Sequence, residues 1–132
     1  MKILSTELLA ALAAFTLACG YSSKAATPPT AGAMPAIAAL APNSMNSGGP
    51  AFVLTVNGSN FSSTATINWN GTAQATSHVS ANQLTATIAA SSIATSATVA
   101  ITVTNPGTSG TGIYNTGATL AETSAAMNFT VN

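Results

Sequence analysis

From Phe52 to Asn57 the chain alternates strictly: Phe52, Leu54 and Val56 fall on one side, Val53, Thr55 and Asn57 on the other. A period of two marks a strand with one face buried and one face wet. Gly48-Gly49-Pro50 and Gly58-Ser59-Asn60 punctuate its two ends. The same period returns in Ala65, Ile67 and Trp69, in Leu84, Ala86 and Ile88, in Val99, Ile101 and Val103, and in Met127, Phe129 and Val131. Each set predicts another strand that turns those residues inward.

Weaker signals fill the gaps between these five. Pro35 to Pro42 reads as a short first strand at a sheet edge, with Ile37 and Leu40 inward, closed by a proline turn at Pro42-Asn43-Ser44. Asn70-Gly71 predicts a tight hairpin, since a type I′ turn needs positive φ at both central residues. Ala73 to Ser80 predicts a further strand with a small apolar face of Ala73, Ala75 and Val79, and Ala89 to Ile93 a short helical turn. Asn105-Pro106-Gly107 stops the strand before it. The stretch from Gly107 to Thr123, rich in Gly, Thr, Ser and Asn, is expected to be a mobile segment that carries recognition. The total is about seven short strands, the pattern of an all-β, immunoglobulin-like antiparallel sandwich.

Composition narrows the function classes. Only 3% of the 132 residues are charged, against about 25% in an average soluble protein. The polar surface must come from Ser, Thr, Asn and Gln. Lys2 and Lys24 are the only basic side chains and the formal charge is zero, so there is no basic face to neutralise phosphates and nucleic acid is excluded as a partner.

The start of the chain has an export pattern. A short polar beginning with Lys2 is followed by a mostly apolar run from Leu8 to Ala18. That run is shorter than the roughly 20 residues of a spanning helix and suits the apolar region of a signal peptide. Phe15-Thr16-Leu17-Ala18-Cys19 resembles the lipobox of bacterial lipoproteins. The resemblance implies cleavage after Ala18 and lipidation of Cys19, and Gly20, which is not Asp, implies passage to the outer membrane or cell surface. An ordinary secretory signal cut further on, after Ala26, is the other reading. Residues 1–18 are thus expected to be a signal peptide and 19–34 a flexible linker containing Pro28-Pro29, with one domain over 35–132.

Within 35–132 a second resemblance is carried by Pro35-Ala36-Ile37, Pro42-Asn43-Ser44, Gly48-Gly49, the block Phe52 to Phe61, Ile67 to Gly71, Gln83 to Ile88, Val103-Thr104-Asn105-Pro106 and Phe129-Thr130-Val131. In order and spacing these resemble the IPT/TIG domain. The resemblance implies an early-set immunoglobulin-like sandwich, a fold used in extracellular receptors, in bacterial surface proteins and beside polysaccharide enzymes, without catalysis of its own. The segment 107–123 is longer than the connection usual in that family.

Candidate chemistry is sparse. General acid-base work needs a pair of positioned groups, and His78 with Glu122 is the one pair on offer beyond the tether. No Gly-x-Ser-x-Gly elbow presents a nucleophile. No cofactor or metal site is expected, since one histidine and, beyond the signal peptide, one carboxylate make too few ligands. The sequons at Asn57, Asn60, Asn70 and Asn128 read as turn and strand chemistry in a bacterial protein. Two functions remain open. One is a non-catalytic structural or adhesive module contacting envelope proteins. The other is a carbohydrate-binding module in which Trp69 and Tyr114 are the candidate ligand contacts.

Overall fold

The computed structural model describes residues 28–113 and 116–132. Ten strand segments follow in order: β1 Ala36–Ala41, β2 Ser44–Met45, β3 Phe52–Ser59, β4 Thr66–Trp69, β5 Thr72–Ala73, β6 Thr76–Ser80, β7 Gln83–Ile88, β8 Ala97–Asn105, β9 Glu122–Thr123 and β10 Met127–Val131. They form a sandwich of two sheets, one ordered β1-β3-β7-β6 and one ordered β2-β10-β8-β4-β5, with β9 also on β8. A 3-10 turn, Ala90–Ile93, bridges the two sheets after β7.

The inward sets found in the sequence make the core. Leu54, Val56, Leu84 and Ile88 from the first sheet face Ile67, Ile101, Val103 and Phe129 from the second, and all are fully buried. Leu40 is buried and Ile37 packs against the core, although an odd separation puts them on opposite faces of a regular strand. A bulge between Ile37 and Ala39 adds the extra residue that brings both inward. Asn70 and Gly71, at φ of 49° and 85°, make the expected hairpin between Trp69 and Thr72.

Pro42-Asn43-Ser44 closes β1 and carries the chain across to the other sheet, where β2 runs parallel to β10. Two expectations are corrected. Ala73, Ala75 and Val79 form no buried face. The chain changes sheets between β5 and β6, and β6 is a sheet edge whose register shifts between His78 and Ser80, leaving Val79 exposed. The end of the expected linker is tied to the domain. Thr30 is hydrogen-bonded on both sides, from its N–H to Ala118 O and at its O by Leu120 N–H, and Pro35 is fully buried. Alternation could not reveal these features, because each depends on which sheet edge a segment meets.

The strand ends meet around one side chain. Asn105, at the end of β8, is 5% exposed. Its Oδ1 accepts the Ser62 N–H at 3.0 Å, and its Nδ2 donates to Ala33 O and to Asn60 O, both at 2.7 Å. Beside it the backbone of β3 presses on β1: a Cβ on Gly58 would lie 1.9 Å from Ala36 O and 2.7 Å from Phe61 Cζ, so only glycine fits. Gly58 and Phe61 then receive the turn before β7, through Gly58 N–H to Asn82 O and Phe61 N–H to Ala81 O. Further along β8, Ser124 covers the gap between β9 and β10 by accepting the Val103 N–H on its hydroxyl. Replacing Asn105 with Ala leaves one amide and two carbonyls unpaired at this pole. With about 1–3 kcal/mol per buried unsatisfied group and partial rescue by water, we expect a loss of about 2–4 kcal/mol, read as a urea midpoint shift.

Candidate interaction surface

Trp69 ends β4 and turns inward with Ile67. Its ring centroid lies 5.1 Å from that of Phe129 on β10 and 6.3 Å from that of Phe52 on β3, and Phe52 stacks on Phe129 at 5.5 Å. Because β3 lies in one sheet and the other two strands in the second, this trio joins the two layers. Trp69 is 6% exposed. A sugar-stacking platform needs an open ring face, whereas here the indole is enclosed in the core. Tyr114 and Cys19, the other two residues singled out by sequence, lie outside the described residues.

The one acid-base pair is divided by the topology. His78 is exposed on β6, an edge of the first sheet, and Glu122 sits half-buried on β9 in the second. Among the described residues no group of three or more His, Cys, Asp or Glu could hold a metal ion, and no helix is long and apolar enough to cross a membrane.

What the structure assembles instead is a pair of uncharged outer faces. On the six-stranded sheet Asn68 Nδ2 donates to Thr102 Oγ1 at 3.2 Å and to Thr104 Oγ1 at 3.0 Å, and Thr104 pairs with the Thr123 hydroxyl at 2.9 Å. Such cross-strand hydroxyl pairs stabilise a sheet by a few tenths of a kcal/mol to about 1 kcal/mol each. On the four-stranded sheet Thr55 stands opposite Thr85, Val53 opposite Thr87, and Gln83 Nε2 donates to Asn57 Oδ1 at 3.0 Å. A shallow depression of about 310 Å³ opens there between Val53, Thr76, Ser77, Thr85 and Thr87. Val53 is 55% exposed within it. A second hollow of about 320 Å³ lies at the far pole among Met45, Asn46, Pro50 and Asn132. The alternation marks Val53, Thr85 and Thr87 as outward, but only the pairing register of β3 with β7 brings them onto one patch.

Two sheets closed over a shared core, with strands that cross between sheets, define an immunoglobulin-like β-sandwich. The family model of the IPT/TIG domain matches residues 35–121, and the chain belongs to that family of non-catalytic immunoglobulin-like modules. β9 and β10 follow the matched stretch and complete the same sandwich. No curated protein and no solved structure matches the chain with significance.

The geometry of Trp69 sets a measurable expectation. Trp69→Ala opens a cavity against Phe52 and Phe129 and should cost about 3–5 kcal/mol, a large share of the 5–15 kcal/mol typical of a domain. Urea unfolding beside the parent checks it, and a shift equivalent to under about 1 kcal/mol would contradict the core role.

Proposed function

We propose that the protein is a lipid-anchored, non-catalytic module of the bacterial cell envelope that makes structural or adhesive contacts with other envelope proteins. Modules of this family serve as contact domains, and the lipobox-like Leu17-Ala18-Cys19-Gly20 supports an anchor at Cys19. The observation that favours a protein over a polysaccharide partner is the burial of Trp69 against Phe129 and Phe52. A chain with 5% aromatic residues that uses four of them, Phe52, Phe61, Trp69 and Phe129, in or against its core keeps few for stacking on sugar rings. The contact surface we assign is the outer face of the four-stranded sheet around Val53, Thr85 and Thr87, which is shallowly concave, neutral and partly apolar. A neutral patch of this kind matches another uncharged surface by shape and hydrogen bonds, with little electrostatic steering.

The anchor is tested by metabolic labelling. Cys19→Ala should abolish palmitate incorporation and leave the precursor unprocessed, and unchanged labelling would remove the lipoprotein reading. A diacylated and amine-acylated cysteine buries many CH₂ groups at about 0.8 kcal/mol each, enough to hold a domain that has no basic patch.

The contact face is tested in cells by a photo-crosslinker at Thr85 in the full chain. One discrete crosslinked protein is expected, lost on Val53→Asp. Retention of the chain on polysaccharide that survives Val53→Asp, with no protein crosslink, would move the assignment to the carbohydrate-binding alternative.

A further inference from the structure

The strand directions place two features at one pole of the sandwich. β1 starts there at Ala36, opposite Ser59 at the end of β3, and β8 finishes there at Asn105, opposite Glu122 of β9. The incoming chain reaches the body at this pole, with Ala33 O held by Asn105 and Met34 O by the Asn60 amide at 3.3 Å. Thr30 is bridged to Thr119, and Thr119 in turn to Thr108. The segment after β8 therefore leaves from the point where the N-terminal tether arrives. The C-terminal Asn132 is at the opposite pole, bonded to Ser47 and Met45.

Three exposed apolar side chains lie on the segments that meet at the tether's pole. Ile113 is 89% exposed, Met34 57% and Leu120 52%. Single exposed hydrophobics are ordinary, but these three belong to segments that the Thr30, Thr108 and Thr119 bridges and the close approach of Gly32 to Leu120 O hold together. Of the other large exposed apolar residues among those described, Val53 lies on the outer face of the first sheet and Val79 on its edge strand β6.

We propose that this pole rests on the lipid surface, with Ile113, Leu120 and Met34 entering the headgroup region. The proposal rests on the reading of Cys19 as the anchor. From Cys19 to Thr30 the chain reaches at most about 40 Å even when fully extended, so an anchored Cys19 keeps this pole within that distance of the bilayer, and it is the end of the sandwich nearest the anchor along the chain. Glu122 is the only formally charged side chain among residues 28–113 and 116–132. Adhesion to lipid therefore comes from apolar burial, without the polybasic attraction that peripheral proteins often add.

The test uses the full chain bearing Ile113→Cys, whose thiol is the free one once Cys19 is acylated, labelled with an environment-sensitive fluorophore. It is reconstituted in phosphatidylcholine vesicles carrying brominated acyl chains, with Ser91→Cys at the opposite pole as reference. A blue shift and bromine quenching are expected at position 113 and not at 91. Both are expected to be lost when Leu120→Asp and Met34→Asp are added, with the circular dichroism spectrum unchanged. Equal, aqueous emission at both positions in chain shown by mass spectrometry to be acylated overturns the proposal. So does a shift that appears only in native envelope and never in pure lipid, because a protein would then cover the pole. An unmodified Cys19 in the mass spectrum defeats the anchor reading by itself. Unanchored chain added to the same vesicles then decides the lipid contact, which quenching at 113 supports and its absence refutes.

Discussion

Asn105 occupies a place where three segments with no common ladder converge: the incoming tether at Ala33, the bend after β3 at Asn60 and Ser62, and the end of β8. An asparagine amide offers a carbonyl acceptor and two N–H donors, and here it meets one amide and two carbonyls with each hydrogen bond directed correctly. The close approach of β3 to β1 at Gly58 depends on the same junction, since it brings Ala36 to the strand whose end the amide secures. Replacing the amide donor at position 105 with a second acceptor, as an aspartate would, sets a carboxylate oxygen against two carbonyl oxygens. The pole is therefore fixed by hydrogen-bond direction as much as by burial.

The rest of the molecule meets the same constraint without charge. With 3% charged residues the chain has almost no ion pairs to draw on, and its polar groups are satisfied by hydroxyls and amides. Ser124 completes the ladder between β9 and β10, Thr76 Oγ1 accepts the Ile67 N–H where the chain changes sheets, and Asn68 bridges two threonines on β8. Neutral pairs of this kind are little affected by salt or by pH across the physiological range, in contrast to surface ion pairs. A core of aliphatic side chains, with Phe61 and the trio of Phe52, Trp69 and Phe129, then supplies the burial that holds the sheets together.

This economy bears on function. Aromatic side chains used to join the sheets are withdrawn from the surface, and His78 and Glu122 are divided between the two sheets. What remains outside is hydroxyl-rich and neutral, with one partly apolar patch on the first sheet and another at the pole where the tether enters. The two patches belong to different partners in the reading given above, one to a neighbouring envelope protein and one to the membrane.

The alternation of apolar and polar residues was enough to determine the strands from Phe52, Ile67, Leu84, Val99 and Met127 onward and the side each turns inward, because a period of two is a local property of the chain. The Asn70-Gly71 hairpin was equally legible, since the positive φ values it needs are set by those two residues. The family could be recognised from motif order alone, and the model match over 35–121 supports it. Tertiary structure decided everything that depends on a partner strand. The crossing of the first strand to the second sheet at Ser44, the bulge that turns both Ile37 and Leu40 inward, and the exposure of Val79 on an edge follow from where neighbouring edges lie. The same holds for the candidate surface and for the pinned tether. Val53 meets Thr87 through register, and Thr30 meets Ala118 and Leu120 across most of the chain, contacts whose separation in sequence leaves no local signal to read.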